Sequence, residues 1–152
     1  MKVIQAPHKI KWQTGEELIF LAGSIEMGKA ENWQTRIIKL LPKDHTVILN
    51  PRRDDWDSSW EQSINNRQFC EQVEWELDAL EQAHIILMHF DPSTKSPITL
   101  LELGLFAIQK PESLIVHCPD GYWRKGNVDI VCRRYGVKQV QTIEELANRV
   151  EI

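Results

Sequence analysis

The sequence lacks the features on which membrane, secreted and nucleic-acid-binding proteins depend. Among its 152 residues are only three cysteines, without C-x-x-C spacing, and no apolar run approaches the roughly 18 residues of a membrane span. The net charge is −4, and no cluster of Lys and Arg is present that could neutralise nucleic-acid phosphates. No signal-peptide pattern begins the chain, which favours a reducing compartment. We therefore expect a cytoplasmic protein that binds neither membranes nor nucleic acid and acts on a small molecule.

The common signatures of cofactor and metal sites are absent too. The chain has no complete G-x-G-x-x-G or Walker lysine pattern, and no His or Cys pair has metal-ligand spacing. His89, which lies in an apolar segment, is therefore interpreted as a packed core or rim histidine rather than as a ligand. We expect a site that contains no metal and no cofactor.

The segment that organises the chain is 91–106, a polar turn followed by an apolar helix with one carboxylate. Ser96-Pro97 predicts the start of this helix, with the Ser hydroxyl as its cap and Pro at the first helical position. Four apolar residues recur at helical spacing and are predicted to face the core: Ile98, Leu101, Leu105 and Ile108. Glu102 lies at the edge of this stripe. A rigid, partly desolvated carboxylate there is either a nucleophile or acid/base, or a structural Glu that caps a neighbouring backbone.

A second unusual carboxylate, Glu76, lies on the preceding helix, which is predicted over residues 64–83. The inward stripe of that helix is predicted to consist of Phe69, Val73, Leu77 and Leu80. Glu76 shares the face of this stripe, whereas charged helix residues normally point to solvent. Glu76 is therefore a second carboxylate in an unusual position.

Apolar runs alternate with helical segments along the chain, whose 42% hydrophobic and 26% charged residues are ordinary for a globular protein. Five strands are predicted, over residues 18–22, 46–49, 84–90, 113–118 and 137–141. Residues 1–17 are predicted to be a loose lead-in, and a capping box at 142–145 begins the last helix. The order predicts one α/β domain over residues 1–152, with a five-stranded parallel sheet and helices on both faces. This is the flavodoxin-like or Rossmann-like three-layer arrangement.

Ligands of such sheets bind beyond the carboxyl ends of the strands. The loops expected there are Gly23-Ser24 and residues 50–60, 91–96 and 119–126. The 50–60 loop holds two tryptophans, which either stack on a flat heterocycle or cover the core edge. Arg52 and Arg53 are candidates to bind a phosphate, or to pair with nearby aspartates. The candidate substrate-binding residues of these loops are Gly23, Ser24, Asn50, Arg52, Asp54, Trp56 and Asp91.

Three motifs, Leu21-Ala-Gly-Ser24, Asn50-Pro-Arg-Arg-Asp54 and Glu102-Leu-Gly104, together resemble the nucleoside 2-deoxyribosyltransferase-like family over residues 18–135. The resemblance implies that Glu102 is the nucleophile and that Glu76 orients the substrate where the family usually has Asp. It also implies a homodimer or larger homo-oligomer with shared sites, in which Asn127 reaches the sugar bound by a neighbouring subunit. Asn127 could instead cap its own helix. The acidic residue that the family often places shortly before the nucleophile has no equivalent at 94–96.

These residues predict an enzyme that cleaves the N-glycosidic bond of a (deoxy)nucleoside or nucleotide and passes the deoxyribosyl group to another base or to water. Asp54, Asp55 and Asp91 are candidates to protonate the leaving base. The alternative is a non-catalytic nucleotide-binding regulatory module, and a flavodoxin-like redox protein is a third hypothesis. Tyr122 and Trp123 are predicted to lie at the interface between subunits, since aromatic residues beside Arg are enriched there.

Overall fold

The computed structural model describes residues 1–26 and 30–150. Its strands are β1 (Lys2–Gln5), β2 (Glu17–Gly23), β3 (Thr46–Asn50), β4 (Ile85–His89), β5 (Leu114–His117) and β6 (Lys138–Val140). Its α-helices are α1 (Trp33–Leu40), α2 (Arg67–Gln82), α3 (Pro97–Gln109), α4 (Lys125–Tyr135) and α5 (Ile143–Asn148). Each helix connects two strands of one sheet or follows the last strand, which gives the predicted α/β order.

The sheet is parallel throughout, and its strand order is β1-β3-β2-β4-β5-β6. Phe20 of β2 lies opposite Leu49 of β3 on one side and Ile86 of β4 on the other. The chain runs outward from β2 to β3 and then resumes at β4 on the other side of β2. The topological switch point, where ligands of such sheets bind, therefore lies at the carboxyl ends of β2 and β4.

The prediction that residues 1–17 are a loose lead-in is wrong, and the sheet has six strands rather than five. Lys2–Gln5 pairs in parallel with β3, and the N–H of Ala6 continues the pairing by donating to the carbonyl of Asn50 at 3.1 Å. Ile4 points inward while Val3 is exposed. Two apolar residues are too short a pattern to indicate a strand, so the pairing depends on contacts with the neighbouring strand that the local sequence does not contain.

Alternate residues of the strands face two apolar layers. One layer lies beneath α1 and α5 and includes Ile19, Leu21 and Trp33. The other lies beneath α2, α3 and α4 and includes Phe20 and Phe106. Each fully buried side chain of this kind contributes about 1.5–3 kcal/mol to folding. The central strands are thus covered on both faces, as their continuous apolar runs predict.

The face of α3 that packs on the sheet differs from the predicted stripe. Its core side consists of Leu103, Phe106 and Ala107. The four residues of the predicted stripe are all exposed, from 39% to 65%: Ile98, Leu101, Leu105 and Ile108. Because α3 is apolar around most of its circumference, helical spacing fits more than one stripe, and the fold selects another one. The protein therefore exposes a continuous apolar surface, which we call the α3 face.

Helix α2 begins three residues later than predicted. The Asn66 side chain caps it by accepting a hydrogen bond from the N–H of Phe69 at 2.9 Å. Trp75, Ala79 and Leu80 pack inward, whereas Val73, predicted to be buried, is exposed. The Trp75 indole donates to the carbonyl of His8 at 2.8 Å, which draws this side of the helix towards the N-terminal segment.

Helix α5 begins as its capping box predicts. Thr142 accepts from the N–H of Glu145 at 3.0 Å, and the Glu145 carboxylate accepts from the N–H of Gln141 at 2.8 Å.

Within residues 1–26 and 30–150, no helix is both long and apolar enough to cross a membrane.

Candidate active site

Glu102 lies in the second turn of α3, on the side of the helix that faces the sheet. The residue is only 7% exposed, and its carboxyl group makes no hydrogen bond within the described part of the chain. Burial, and then the negative charge of Glu76, raise the pKa of Glu102 well above its ordinary value. A buried carboxyl group without a structural partner is unlike a Glu that caps a backbone, which favours the functional interpretation of this residue.

Glu76 projects from α2 towards the same space. The side-chain amide of Gln72 donates to Oε1 of Glu76 at 2.8 Å and also to the carbonyl of Pro51 at 3.0 Å. Burial raises the pKa of Glu76 to about 7, although the hydrogen bond from Gln72 partly offsets this effect. Gln72 thus fixes Glu76 and ties it to the loop after β3. The sequence contained no signal for this role beyond the spacing of four residues.

Glu76 and Glu102 form a coupled pair, because the charge of one opposes the ionisation of the other. Both pKa values are raised, so ionisation of both carboxyl groups at the same time is disfavoured. Two adjacent carboxyl groups that differ in protonation supply one nucleophile and one hydrogen-bond donor or acid. Cleavage of a glycosidic bond requires this combination.

Ser24, a predicted binding residue, is buried within a cluster of hydroxyl groups. The hydroxyl of Thr94 lies 2.9 Å from that of Ser24 and 2.7 Å from that of Ser96, and Ser24 and Ser96 also bond to each other. The Ser24 hydroxyl accepts from the N–H of Asp91 at 2.9 Å as well. Ser24 therefore fixes the turn between β4 and α3, the helix that carries Glu102.

The predicted hydroxyl cap of α3 is wrong, although Pro97 does occupy the first helical position. Ser96 makes no side-chain cap and has a left-handed backbone, with φ 48° and ψ 52°. Its hydroxyl is used by Ser24 and Thr94 instead. Its backbone N–H donates at 2.8 Å to Oε1 of Glu26, from the segment after β2. Glu26 could not be identified from the sequence, because nothing in the chain order indicates that it reaches the start of α3.

Gly23 is required by packing. A Cβ atom at this position would lie 2.4 Å from the carbonyl oxygen of His89 and 2.7 Å from the Trp33 ring. The indole of Trp33 donates to the carbonyl of Ser24 at 3.3 Å. The absence of a side chain at Gly23 therefore allows β2, β4 and α1 to pack closely at the switch point, next to the candidate site.

The two arginines of the loop after β3 have protein partners. Arg52 donates to the carbonyls of Ala30 and Glu31 at 2.9 and 3.1 Å. Arg53 binds both carboxylate oxygens of Asp55, at 2.8 and 2.9 Å. Arg53 therefore pairs with a nearby aspartate, as one of the two hypotheses predicts. Arg52 instead connects the loop to the segment before α1.

The remaining predicted residues of this loop differ in exposure. Asn50 accepts from the N–H of Arg52 at 3.1 Å and shapes the turn, whereas Asp54 is exposed. Trp56 is partly buried and lies edge-on to Trp60, with 5.0 Å between ring centroids. The Trp56 indole N–H is buried and has no partner among residues 1–26 and 30–150. Asp91 accepts from the N–H and hydroxyl of Ser93 at 2.8 and 2.7 Å.

Asn127 lies in the first turn of α4 and is exposed. It is not the cap of its helix, because Arg124 precedes the helix and makes no side-chain cap, so the capping alternative is wrong. Asn127 borders a groove of about 180 Å³ between α3 and α4, together with Leu100 and Gly104. This groove adjoins the helix of Glu102.

Of the two aromatic residues before α4, Tyr122 is buried in the core and Trp123 is exposed at the surface. Tyr122, predicted to lie at an interface, is instead buried against Phe90, with 4.8 Å between ring centroids, and its hydroxyl donates to the carbonyl of Lys95 at 2.7 Å. Trp123 is 47% exposed and donates to the same carbonyl at 2.9 Å. Both residues therefore fix the turn that precedes Glu102, and Trp123 alone remains available to a partner.

His89 is packed in the core, as predicted. Its Nδ1 lies 2.9 Å from Nδ1 of His117, and the two buried rings stack with 4.9 Å between their centroids. Among residues 1–26 and 30–150, no group of three His, Cys, Asp or Glu side chains is placed to hold a metal ion.

A model of the family described as nucleoside 2-deoxyribosyltransferase like matches residues 16–122. No curated protein matches the chain. Among solved structures, a conserved protein from Enterococcus faecalis V583 is similar in fold, with a TM-score of 0.59 at 10% identity. The similarity covers 88% of this chain and 96% of that one.

Proposed function

Because the chain belongs to the nucleoside 2-deoxyribosyltransferase-like family, we propose that it cleaves the N-glycosidic bond of a (deoxy)nucleoside or nucleotide, with Glu102 as the nucleophile. The observation that carries the proposal is the carboxyl pair Glu102 and Glu76. Both groups are desolvated, they are coupled, and Glu102 has no hydrogen-bond partner in the described part of the chain.

In the first step, an oxygen of ionised Glu102 bonds to C1′ of the sugar while the bond between C1′ and the base nitrogen breaks. The transition state carries positive charge on the sugar. Burial disfavours the negative charge of Glu102 in the free protein, and the forming positive charge removes that penalty. The carboxylate is therefore stabilised most where the reaction needs it.

Glu76 holds a sugar hydroxyl or the attacking group, and Gln72 fixes its orientation through the 2.8 Å hydrogen bond. The leaving base must gain a proton, and Glu76, whose pKa burial raises to about 7, is the candidate donor within the pair while Glu102 is ionised. Asp91 and the exposed Asp54 are further candidate donors. In the second step, a nitrogen of another base or the oxygen of water bonds to C1′ while the bond from C1′ to Glu102 breaks, and the proton that the attacking group loses returns to Glu76.

We propose that a second copy of the chain completes the site. The α3 face is apolar and exposed, and the groove between α3 and α4 places Asn127 beside it. Exposed apolar surfaces of this kind commonly mark interfaces between proteins. Pairing two copies through the α3 face would cover it and bring each Asn127 towards the partner's sugar site.

The test is release of free base from a panel of deoxynucleosides and their 5′-monophosphates, followed by chromatography, in wild type and Glu102→Gln. We expect the variant to lose at least about a thousandfold in rate, as removal of a covalent nucleophile typically does. Glu112→Gln, an exposed carboxylate outside the site, is the matched control and should keep the wild-type rate.

Equal rates in Glu102→Gln and wild type would refute the nucleophile assignment. Ligand-induced thermal stabilisation of the wild type without base release from any substrate would instead support the non-catalytic nucleotide-binding module.

A further inference from the structure

The side-chain amide of Gln72 has different partners at its two ends. Its Nε2 donates to Oε1 of Glu76 at 2.8 Å and to the carbonyl of Pro51 at 3.0 Å. Its Oε1 accepts a long hydrogen bond, of 3.4 Å, from Nη1 of Arg53. Gln72 is only 4% exposed, so water has little access to replace these partners. The amide therefore uses both of its N–H groups and its oxygen within the protein.

These contacts select one orientation of the amide. A rotation of 180° would turn Nε2 towards Arg53, so that two donors faced each other. The same rotation would turn Oε1 towards the carbonyl of Pro51, so that two acceptors faced each other. Oε1 would also face Glu76, which can donate a hydrogen only in its protonated form. Arg53 and Pro51 thus oppose the rotated orientation at every pH, whereas Glu76 opposes it only while it is ionised.

Arg53 is itself fixed by the loop after β3. Its Nε and Nη2 donate to the two carboxylate oxygens of Asp55, at 2.8 and 2.9 Å. The guanidinium also lies over the Trp60 ring, 5.2 Å from the ring centre. The side chain of Arg53 is 10% exposed, although that of Asp55 is 74% exposed. With two of its nitrogens occupied by Asp55, Arg53 reaches Gln72 through the third.

Several titratable side chains surround Glu76 and its contacts. They are Glu102 of α3, Glu71 of α2, Arg53 and Asp55 of the loop after β3, and His8 of the N-terminal segment. Glu102 opposes the ionisation of Glu76, since the two carboxyl groups are coupled. The sheet beneath contributes apolar side chains such as Phe20. The hydrogen bond from Gln72 acts against these influences, because it favours the ionised form of Glu76.

This hydrogen bond keeps the proton affinity of Glu76 within a useful range. Burial raises the pKa of Glu76 to about 7, and the hydrogen bond from Gln72 limits the rise. A group that donates and accepts protons works best when its pKa lies near the working pH. If the amide of Gln72 rotated, Glu76 would lose its donor and its pKa would rise further.

Resting on the proposed function, we propose that Arg53 is a positioning residue, which holds the amide of Gln72 with its N–H groups towards Glu76. Arg53 acts on Glu76 through Gln72 and does not bind the substrate. Asp55 and Trp60 fix the guanidinium that fixes this amide. The loop after β3 is therefore coupled to the carboxyl pair.

The experiment measures the titration of Glu76 itself, from the carboxyl signals of protein labelled with carbon-13 glutamate, with Glu76→Gln to assign the signal. We expect Arg53→Met to raise the pKa of Glu76 by about 0.5–1 pH unit, the equivalent of one hydrogen bond. Gln72→Met removes the donor and should raise it by about one pH unit or more. The double variant should match Gln72→Met, because Arg53 then has no amide to hold.

Two further substitutions complete the series. Arg133→Met, at an exposed position on α4, is the control for the loss of one positive charge and should titrate like the wild type. Arg53→Lys replaces Arg53→Met if the latter does not fold. Its single ammonium keeps the charge but cannot contact Asp55 and Gln72 as the guanidinium does, so we expect a smaller rise in the same direction.

Base release is measured with the same variants over a range of pH. We expect wild-type activity to fall as the pH rises and Glu76 loses its proton. In Arg53→Met this fall should move to higher pH, while KM stays unchanged. A rise in KM confined to 5′-monophosphates would instead assign Arg53 to the phosphate and overturn the positioning role.

An unchanged titration of Glu76 in Arg53→Met, or in Arg53→Lys where that variant replaces it, overturns the proposal. A rise as large in the Gln72→Met background as in the wild type also overturns it, because Arg53 would then act through its charge alone. If the wild type turns over no substrate, the proposed function fails, whereas the titration of Glu76 still decides the role of Arg53.

Discussion

Glu102 of α3 and Glu76 of α2 face the same buried space, and the charge of Glu76 raises the pKa of Glu102. Two helices separated by strand β4 thus bring together two carboxyl groups that oppose each other's ionisation. Such pairs cost stability in the free protein and are retained where a reaction uses them.

The first prediction follows from the sign of these shifts. When folding raises the pKa of a carboxyl group, the protein loses stability as the pH rises from the pKa of that group in the unfolded chain to its pKa in the folded protein. For Glu76 this range runs from about 4.5 to about 7. Glu102→Gln removes one partner of the pair. We expect it to raise the free energy of unfolding at pH 8 by about 0.5–2 kcal/mol, as replacement of strained active-site groups often does.

Urea unfolding at pH 5 and pH 8 measures this effect. The gain should be much smaller at pH 5, near the lower end of this range, and absent at both pH values in Glu112→Gln. A loss of stability in Glu102→Gln at pH 8 would mean that the carboxylate of Glu102 has a stabilising partner, contrary to its unpaired state in the described residues.

The second prediction concerns His89 and His117, whose pKa shifts have the opposite sign. Burial, and then the charge of His117, lower the pKa of His89 to about 4, and burial likewise lowers the pKa of His117. The unfolded chain therefore binds protons first as the pH falls from about 6.5 to 4. We expect the pair to cost up to about 3 kcal/mol of stability over this range.

This loss is measured as the difference in urea midpoint between wild type and His89→Phe at each pH. The aromatic ring can still pack against Trp33, which lies 5.2 Å from His89 between ring centroids, but it cannot be protonated. His8→Gln, at an exposed position, should follow the wild type. Parallel curves for wild type and His89→Phe would show that the pair does not resist protonation.

Much of the fold could be predicted from the sequence, because strands buried on both faces carry long apolar runs and the helices between them carry boundary signals. Pro97 and the capping box at Thr142 are examples. Strand β1 could not be predicted, since its evidence lies in β3. The face of α3 was predicted wrongly for the opposite reason: its apolar residues surround the helix, and only packing on the sheet distinguishes Leu103 from Leu101.

For the candidate site, the sequence identified the carboxyl pair but not its surroundings. Glu102 and Glu76 were recognisable as carboxylates among apolar residues. The contacts of Ser96 with Ser24 and Glu26 join segments about seventy residues apart, at 72 and 70 residues. A local pattern cannot indicate such contacts. For this reason Ser96 was predicted to be a helix cap, the commoner role of a Ser before Pro.

The third prediction revises the role of Ser96. Ser96→Ala removes a buried hydroxyl and leaves those of Ser24 and Thr94 with fewer partners. We expect a loss of about 1–3 kcal/mol, the cost of unsatisfied buried polar groups. The denaturant midpoint measures it. Ser93→Ala, in the same turn but exposed, should change stability by less than about 0.5 kcal/mol. Equal effects of the two substitutions would show that the hydroxyl cluster does not stabilise the turn.

The fourth prediction concerns the α3 face. Leu101 is 59% exposed on it. If a second copy covers this face, Leu101→Lys would place a charge in an apolar interface and dissociate the assembly. Sedimentation velocity should show an oligomer for wild type, a monomer for Leu101→Lys and an oligomer for Gln109→Lys, an exposed position near the end of the same helix. A monomeric wild type at high concentration would exclude a shared site.

The fifth prediction tests whether the site is shared. Asn127 is exposed beside the groove between α3 and α4 and does not cap its helix, so its amide is available to a ligand held by another subunit. Glu102→Ala and Asn127→Ala proteins, each inactive alone, should regain base release when mixed under conditions of subunit exchange. A heterodimer then contains one site with both residues intact. Exchange is verified with differently tagged subunits and mass spectrometry. Verified exchange without recovery would place both residues in one subunit and refute the composite site.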